Sequence, residues 1–113
     1  MDVITTSIDF NRVVERRVNL IRQILETKAA EYADPSDRFH NFNVAARIAA
    51  TTPEKALMGM RLKHEVSVMD LVECAHENLT VALIEEKIGD NINYLILLEG
   101  MLKTRITDSY AKD

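Results

Sequence analysis

The sequence predicts an all-α fold, a bundle of four helices joined by short connections. Three observations carry that expectation. Only three glycines and two prolines occur in 113 residues, so little interrupts a helix. Apolar residues recur at spacings of three and four over long stretches, the period of one helix face. Both prolines follow a residue that caps helices well, which reads as punctuation between elements. Leu, Ile, Ala, Met and Val supply the apolar mass, and aromatic residues make up only 5% of the chain, a mixture that suits helix packing better than sheets. The length fits one domain, residues 1–113.

The first helix is expected over 9–32. Phe10, Val14, Val18, Ile21, Leu25 and Ala29 form one face, widened by Val13, Leu20 and Ile24. Arg12, Glu15, Arg16, Asn19, Arg22, Gln23 and Glu26 form the solvated side. In "EYADPSDRFHNF", Asp34 caps and Pro35 opens a second helix over 35–50, because the residue before a proline resists helical geometry. Phe39, Phe42, Ala46 and Ala49 are its inner face. "TTPEKALMGM" repeats the device: Thr52 caps, Pro53 opens, and Glu54 complements the dipole of a third helix over 53–75. "AHENLT" is a turn, and the fourth helix covers 80–105, with "DSYAKD" as a frayed tail. The short turn makes the third and fourth helices antiparallel neighbours.

The fourth helix carries Glu86, Asp90 and Asn93 at spacings of four and three, within about 60° on a helical wheel. Beyond Asn93 it is apolar nearly all round until Glu99. The third helix answers with Lys63, Ser67 and Asp70. For antiparallel helices joined near 76–80, facing residue numbers sum to about 156. Asp70 then stands level with Glu86, Ser67 near Asp90, and Lys63 level with Asn93. Two solvated faces, a buried network in which Lys63 neutralises Asp90, or a polar pocket between the helices all fit this pattern.

The formal net charge of −4 gives no electrostatic reason to bind nucleic acid. The one cysteine, Cys74, excludes an intrachain disulfide. It reads as a small buried or half-buried residue of a reducing compartment, or as a reactive thiol. "MDVITTSIDF" lacks a secretory pattern, and no apolar run approaches the ~20 residues that span a bilayer. A soluble, cytoplasmic protein is expected, in the host cytoplasm if phage-encoded.

The stretches "EYADPSDRFHNF", "TPEKALMGMRLKHEVSVMD" and "EKIGDNINYLILLEGML" resemble a widespread group of small bacteriophage and prophage proteins of uncharacterised function, over roughly residues 18–104. The layout is more distantly similar to the all-α nucleoside triphosphate pyrophosphohydrolases, the MazG-like and dimeric dUTPase group. That resemblance implies a MazG-like bundle, an oligomeric active unit, and Mg²⁺ held by Glu-x-x-Glu on one helix and Glu-x-x-Asp on the next. Asp70-x-x-Glu73 would stand for the first pair, and Glu86 with Asp90 for the second. The second pair departs from the pattern: Glu86 and Asp90 are four apart, and Lys87 takes the place of a carboxylate. Mg²⁺ needs several hard oxygens in octahedral geometry.

His64 falls among Leu57, Met60, Val68 and Leu71, which suits a packed histidine better than a ligand or base. His40 and His76 have no metal-ligand spacing to each other. No Gly-rich phosphate loop or nucleophile motif occurs. Arg38 and Asn41 either brace the start of the second helix or reach a ligand phosphate. Two functions follow. The first is a non-catalytic, homo-oligomeric helical protein binding a nucleotide-like ligand or a host protein, in host takeover or against host defence. It has no cofactor, and Lys63, His64, Ser67, Lys87 and Asn93 are its binding residues. The alternative is an Mg²⁺-dependent pyrophosphohydrolase with Asp70, Glu86 and Asp90 on the metal. Neither involves nucleic acid or a membrane.

Overall fold

The structure is a computed structural model that describes residues 7–31 and 38–111, with side chains at 9–27 and 38–107. It is all-α. Four helices, α1 (Ser7–Glu31), α2 (His40–Ala49), α3 (Pro53–Glu73) and α4 (Val81–Ala111), follow in order, with a 3₁₀ turn at His76–Asn78 before α4. No described helix is long and apolar enough to cross a membrane.

The helix starts follow local chemistry. Thr52 Oγ1 accepts from the Lys55 N–H at 3.3 Å and Pro53 opens α3, satisfying one of the amides that a helix start leaves without an intrahelical partner. Thr80 Oγ1 does the same for the Leu83 N–H at 3.1 Å. α2 starts later than the expected 35. Arg38 and Phe39 form a turn, no side chain caps the helix, and it begins at His40. The expected Asp34–Pro35 cap lies outside the described residues. Ala50 closes α2 in the left-handed conformation, φ 54° and ψ 49°, and the Thr51 N–H reaches the Ala46 carbonyl at 2.9 Å. α3 ends at Glu73, with Cys74 half-buried beyond it. α4 continues to Ala111 instead of fraying after 105.

α2 packs on α3, α3 on α4, and α1 on α4. Phe42, Leu57 and Met101 form the buried cluster, with Phe39, Met60, Tyr94, Leu97 and Leu98 packed around it. Met60 packs on the core, whereas Met58 is exposed. The expected inner face of α1 is only half used: Ile21 and Leu25 are half-buried, but Phe10, Val14 and Val18 are exposed. Among the described residues α1 approaches no helix closely except α4, so α1 does not close a compact bundle against α2 and α3. The radius of gyration is 17.1 Å, against about 13 Å for a compact chain of this length.

A fork of hydrogen bonds ties α1 to α4. Arg16 Nε donates to Glu85 Oε2 at 2.9 Å and Arg16 Nη2 to Oε1 at 3.2 Å. Arg17 Nη2 donates to the Glu85 carbonyl at 3.3 Å. The guanidinium of Arg17 crosses over Gly89, where a Cβ would lie 2.7 Å from Nη1. Hydrogen bonding from Arg16 holds the Glu85 carboxyl below the ordinary carboxylate range, and the same contact raises Arg16.

Candidate functional site

α3 and α4 meet in the expected register. Arg61 Nη1 donates to Asn91 Oδ1 at 3.1 Å. His64 Nδ1 lies 3.7 Å from Asp90 Oδ2, and Arg105 Nη2 lies 3.0 Å from Glu54 Oε2. The residue numbers in each pair sum close to the expected value of about 156. Of the two polar stripes, Lys63, Asp90 and Asn93 therefore come together in the middle of the helices.

They open on a cavity of about 510 Å³ among all four helices. Ile24 and Leu25 of α1 form one wall, and Arg38, Asn41 and Phe42 form the next. Lys63 and His64 come from α3, and Asp90, Asn93, Tyr94 and Leu97 from α4. α1 thus stands across the cavity from α2 and α3, which is why its backbone does not approach theirs. The floor is aromatic. The His64 ring lies tilted at 45° against Tyr94 with centroids 4.6 Å apart. Tyr94 in turn meets Phe42 edge to face at 5.8 Å. This chain of rings connects the hydrophobic cluster to the cavity and fixes the His64 side chain.

Asn93 is the exceptional group. It is 8% exposed, the one buried polar residue among those described. Its Oδ1 has no hydrogen-bond partner, and it lines the cavity. An unmet buried acceptor costs about 1–3 kcal/mol.

The sequence-derived candidates divide. Lys63, His64, Asn93 and Asp90 are brought together at the cavity. Asp90 approaches His64, where the sequence had offered Lys63 as its partner. Ser67 is turned back on its own helix, its Oγ donating to the Lys63 carbonyl at 3.0 Å. Lys87 lies 3.9 Å from Glu86 and does not line the cavity. Asp70 and Glu86 are exposed. Among the described residues no group of three or more His, Cys, Asp or Glu stands close enough to hold a metal ion, so Asp70, Glu86 and Asp90 are not gathered into one.

No protein-family model, curated protein or solved structure matches the chain. The chemistry of the cavity therefore rests on its own groups. Lys63 and Arg38 are cations, Asn41 can donate and accept, Asn93 offers an acceptor, and the rings of Tyr94 and Phe42 give an apolar side. Of these, Arg38 and Asn41 were open between bracing and ligand contact, and the cavity places both at its wall.

Tyr94 was visible in the sequence only as one of the apolar residues of α4. Its neighbour Asn93 in the polar stripe was the available signal. A second polar cluster carried less warning. Arg61, Glu65 and Asn91 bond mutually, with Arg61 Nη1 to Glu65 Oε2 at 2.8 Å and Asn91 Nδ2 to the same oxygen at 3.1 Å. The i,i+4 spacing of Arg61 and Glu65 foretells half of it. This network clamps α3 to α4 and leaves Arg61 Nε buried without a partner.

Proposed function

We propose that this chain binds a nucleotide-like ligand in the cavity between the helices without a resident metal. The observation that carries the reading is a cavity that brings Arg38 and Lys63 together with Asn93, whose buried Oδ1 has no hydrogen-bond partner in the ligand-free chain. A ligand that suits these groups is anionic at one end and offers a hydrogen-bond donor at the other. Phosphate meets the two cations, an exocyclic amine or ring N–H meets Asn93, and a planar base finds the apolar side made by Tyr94 and Phe42. An orthophosphate alone would leave the aromatic side unused, and an uncharged base would leave the cations idle.

The Mg²⁺-dependent pyrophosphohydrolase is the alternative, and it needs carboxylates gathered around one ion. Asp90 is the carboxylate at the cavity, and it already leans towards His64. Titration calorimetry of the full chain against a panel of nucleoside mono-, di- and triphosphates, with and without Mg²⁺, separates the readings. Metal-independent heat that is lost in Lys63→Ala supports the binder. Binding only with Mg²⁺, together with pyrophosphate release, replaces it with the enzyme. Silence across the panel overturns the nucleotide reading.

A further inference from the structure

We propose that the groove between α1 and α4 is the seat of a second copy of this chain. The groove measures about 970 Å³, and its floor is made by Val13, Val14 and Val18 of α1 with Ile84, Ile88 and Ile92 of α4. Val14 is 46% exposed and Val18 41%. Asp9, Arg12, Arg16, Arg17 and Glu85 border this apolar floor, with Arg16 already paired to Glu85.

The amount of surface on the whole chain is that of a molecule with an obligate partner. The chain exposes 8526 Å², whereas a compact monomer of 12.8 kDa exposes about 6300 Å². The excess, about 2200 Å² per chain, is on the scale of an obligate homodimer interface. It also has the right chemistry. Phe10 leaves further apolar surface on α1, Leu95, Leu102 and Ile106 on α4, and Leu62, Val66 and Val72 on α3, as expected of a chain with an obligate interface, which resembles a core cut in half. The buried apolar side chains of the single chain are few, Phe42, Ala46, Leu57, Leu71 and Met101 among the described residues. A fold with so small a core gains stability from whatever covers the rest, as the chains of obligate homodimers do. This inference stands apart from the ligand reading, since the groove and the polar cavity share no lining residue.

Sedimentation equilibrium of the full chain at micromolar concentration tests it. The expected mass is about 26 kDa, twice the 12.8 kDa chain, or a higher multiple. Val14→Glu with Val18→Glu, exposed in the single chain and so tolerated by its own packing, should reduce the mass to that of one chain. Gln23→Glu, on the opposite side of α1, should leave it unchanged. A parent of one-chain mass overturns the proposal and leaves the groove to a different occupant. A parent oligomer whose mass survives the double variant also overturns it, by placing the interface elsewhere. If the double variant fails to fold, cross-linking decides. A Val18→Cys chain should form a disulfide-linked dimer on mild oxidation, and the same outcome from Gln23→Cys in place of Val18→Cys would overturn the groove as the contact.

Discussion

Arg16 holds Glu85 by two parallel hydrogen bonds, Nε to Oε2 at 2.9 Å and Nη2 to Oε1 at 3.2 Å, across 69 residues of sequence. With Arg17 on the Glu85 carbonyl, this fork fixes α1 on α4. It also gives the docking of α1 a pH dependence. The folded Glu85 carboxyl is lowered, chiefly by the hydrogen bond from Arg16. A lowered carboxylate contributes stability that is present above its unfolded value. That contribution is lost as the pH falls through the folded value. The urea midpoint should therefore begin to fall below about pH 4.3, the ordinary glutamate value. Glu85→Gln should lower the midpoint at neutral pH and flatten that limb of the profile. An unchanged limb in the variant would assign the acid sensitivity to other carboxylates.

Leu57 is fully buried at the centre of the hydrophobic cluster. Leu57→Ala leaves a cavity among Phe42 and Met101 and should cost about 2–5 kcal/mol by denaturant titration. Lys55→Ala, exposed two residues earlier, should cost under about 0.5 kcal/mol. Equal effects would mean that the cluster is not what holds α2, α3 and α4 together.

The glycines of the long helices differ in what surrounds them. A Cβ on Gly59 meets nothing within 4 Å, so Gly59→Ala should stabilise by about 0.5–1 kcal/mol through helix propensity and reduced freedom of the unfolded chain. A Cβ on Gly100 would lie 3.1 Å from Phe39 Cζ, against a ring packed on the core. Gly100→Ala should gain less than Gly59→Ala, or lose stability. A thermal melt of the two variants checks the order.

The helices and the α3–α4 register were legible because they rest on local signals: Thr52 and Pro53 at one helix start, Thr80 at the next, and a turn too short for any but antiparallel neighbours. Lys63 and Asn93 share the cavity because that register set them level. The start of α2 was misjudged because the expectation was anchored on Asp34 and Pro35, while α2 begins at His40 with no side-chain cap. Ser67 was misplaced for a different reason. Its hydroxyl satisfies itself on the Lys63 carbonyl, a local competition that a helical wheel does not see. The uncovered face of α1 reads as buried in the sequence because periodicity reports that a face is apolar, not what covers it.

Asp90 and Glu99 share α4 and differ in surroundings. Asp90 lines the cavity beside His64, whereas Glu99 pairs with Lys103 on the exposed side, which lowers its carboxyl. Asp90→Ala should change nucleotide affinity several-fold or more by calorimetry. Glu99→Ala should leave affinity within error and stability nearly unchanged, since an exposed i,i+4 pair contributes little. Equal affinity in both variants would remove the cavity from the binding surface.

Asn93 gives the sharpest test, because stability and binding should move in opposite directions. Its Oδ1 is buried without a partner, and an unmet acceptor destabilises the ligand-free state. Leucine has similar volume and no polar group to satisfy, and it would lie beside Tyr94 and Leu97. Asn93→Leu should therefore raise the unfolding free energy of the ligand-free protein by about 1–3 kcal/mol. It should also abolish the stabilisation by nucleotide, which in the parent grows with ligand concentration by mass action. A stability gain with a loss of binding marks a residue retained at a cost to the fold. If Asn93→Leu instead loses more than about 1 kcal/mol, the carboxamide is a structural bond of α4 and the oxygen is satisfied in solution. If the variant gains stability and still responds to nucleotide as the parent does, the ligand binds without Asn93 and the polar cavity is not its seat.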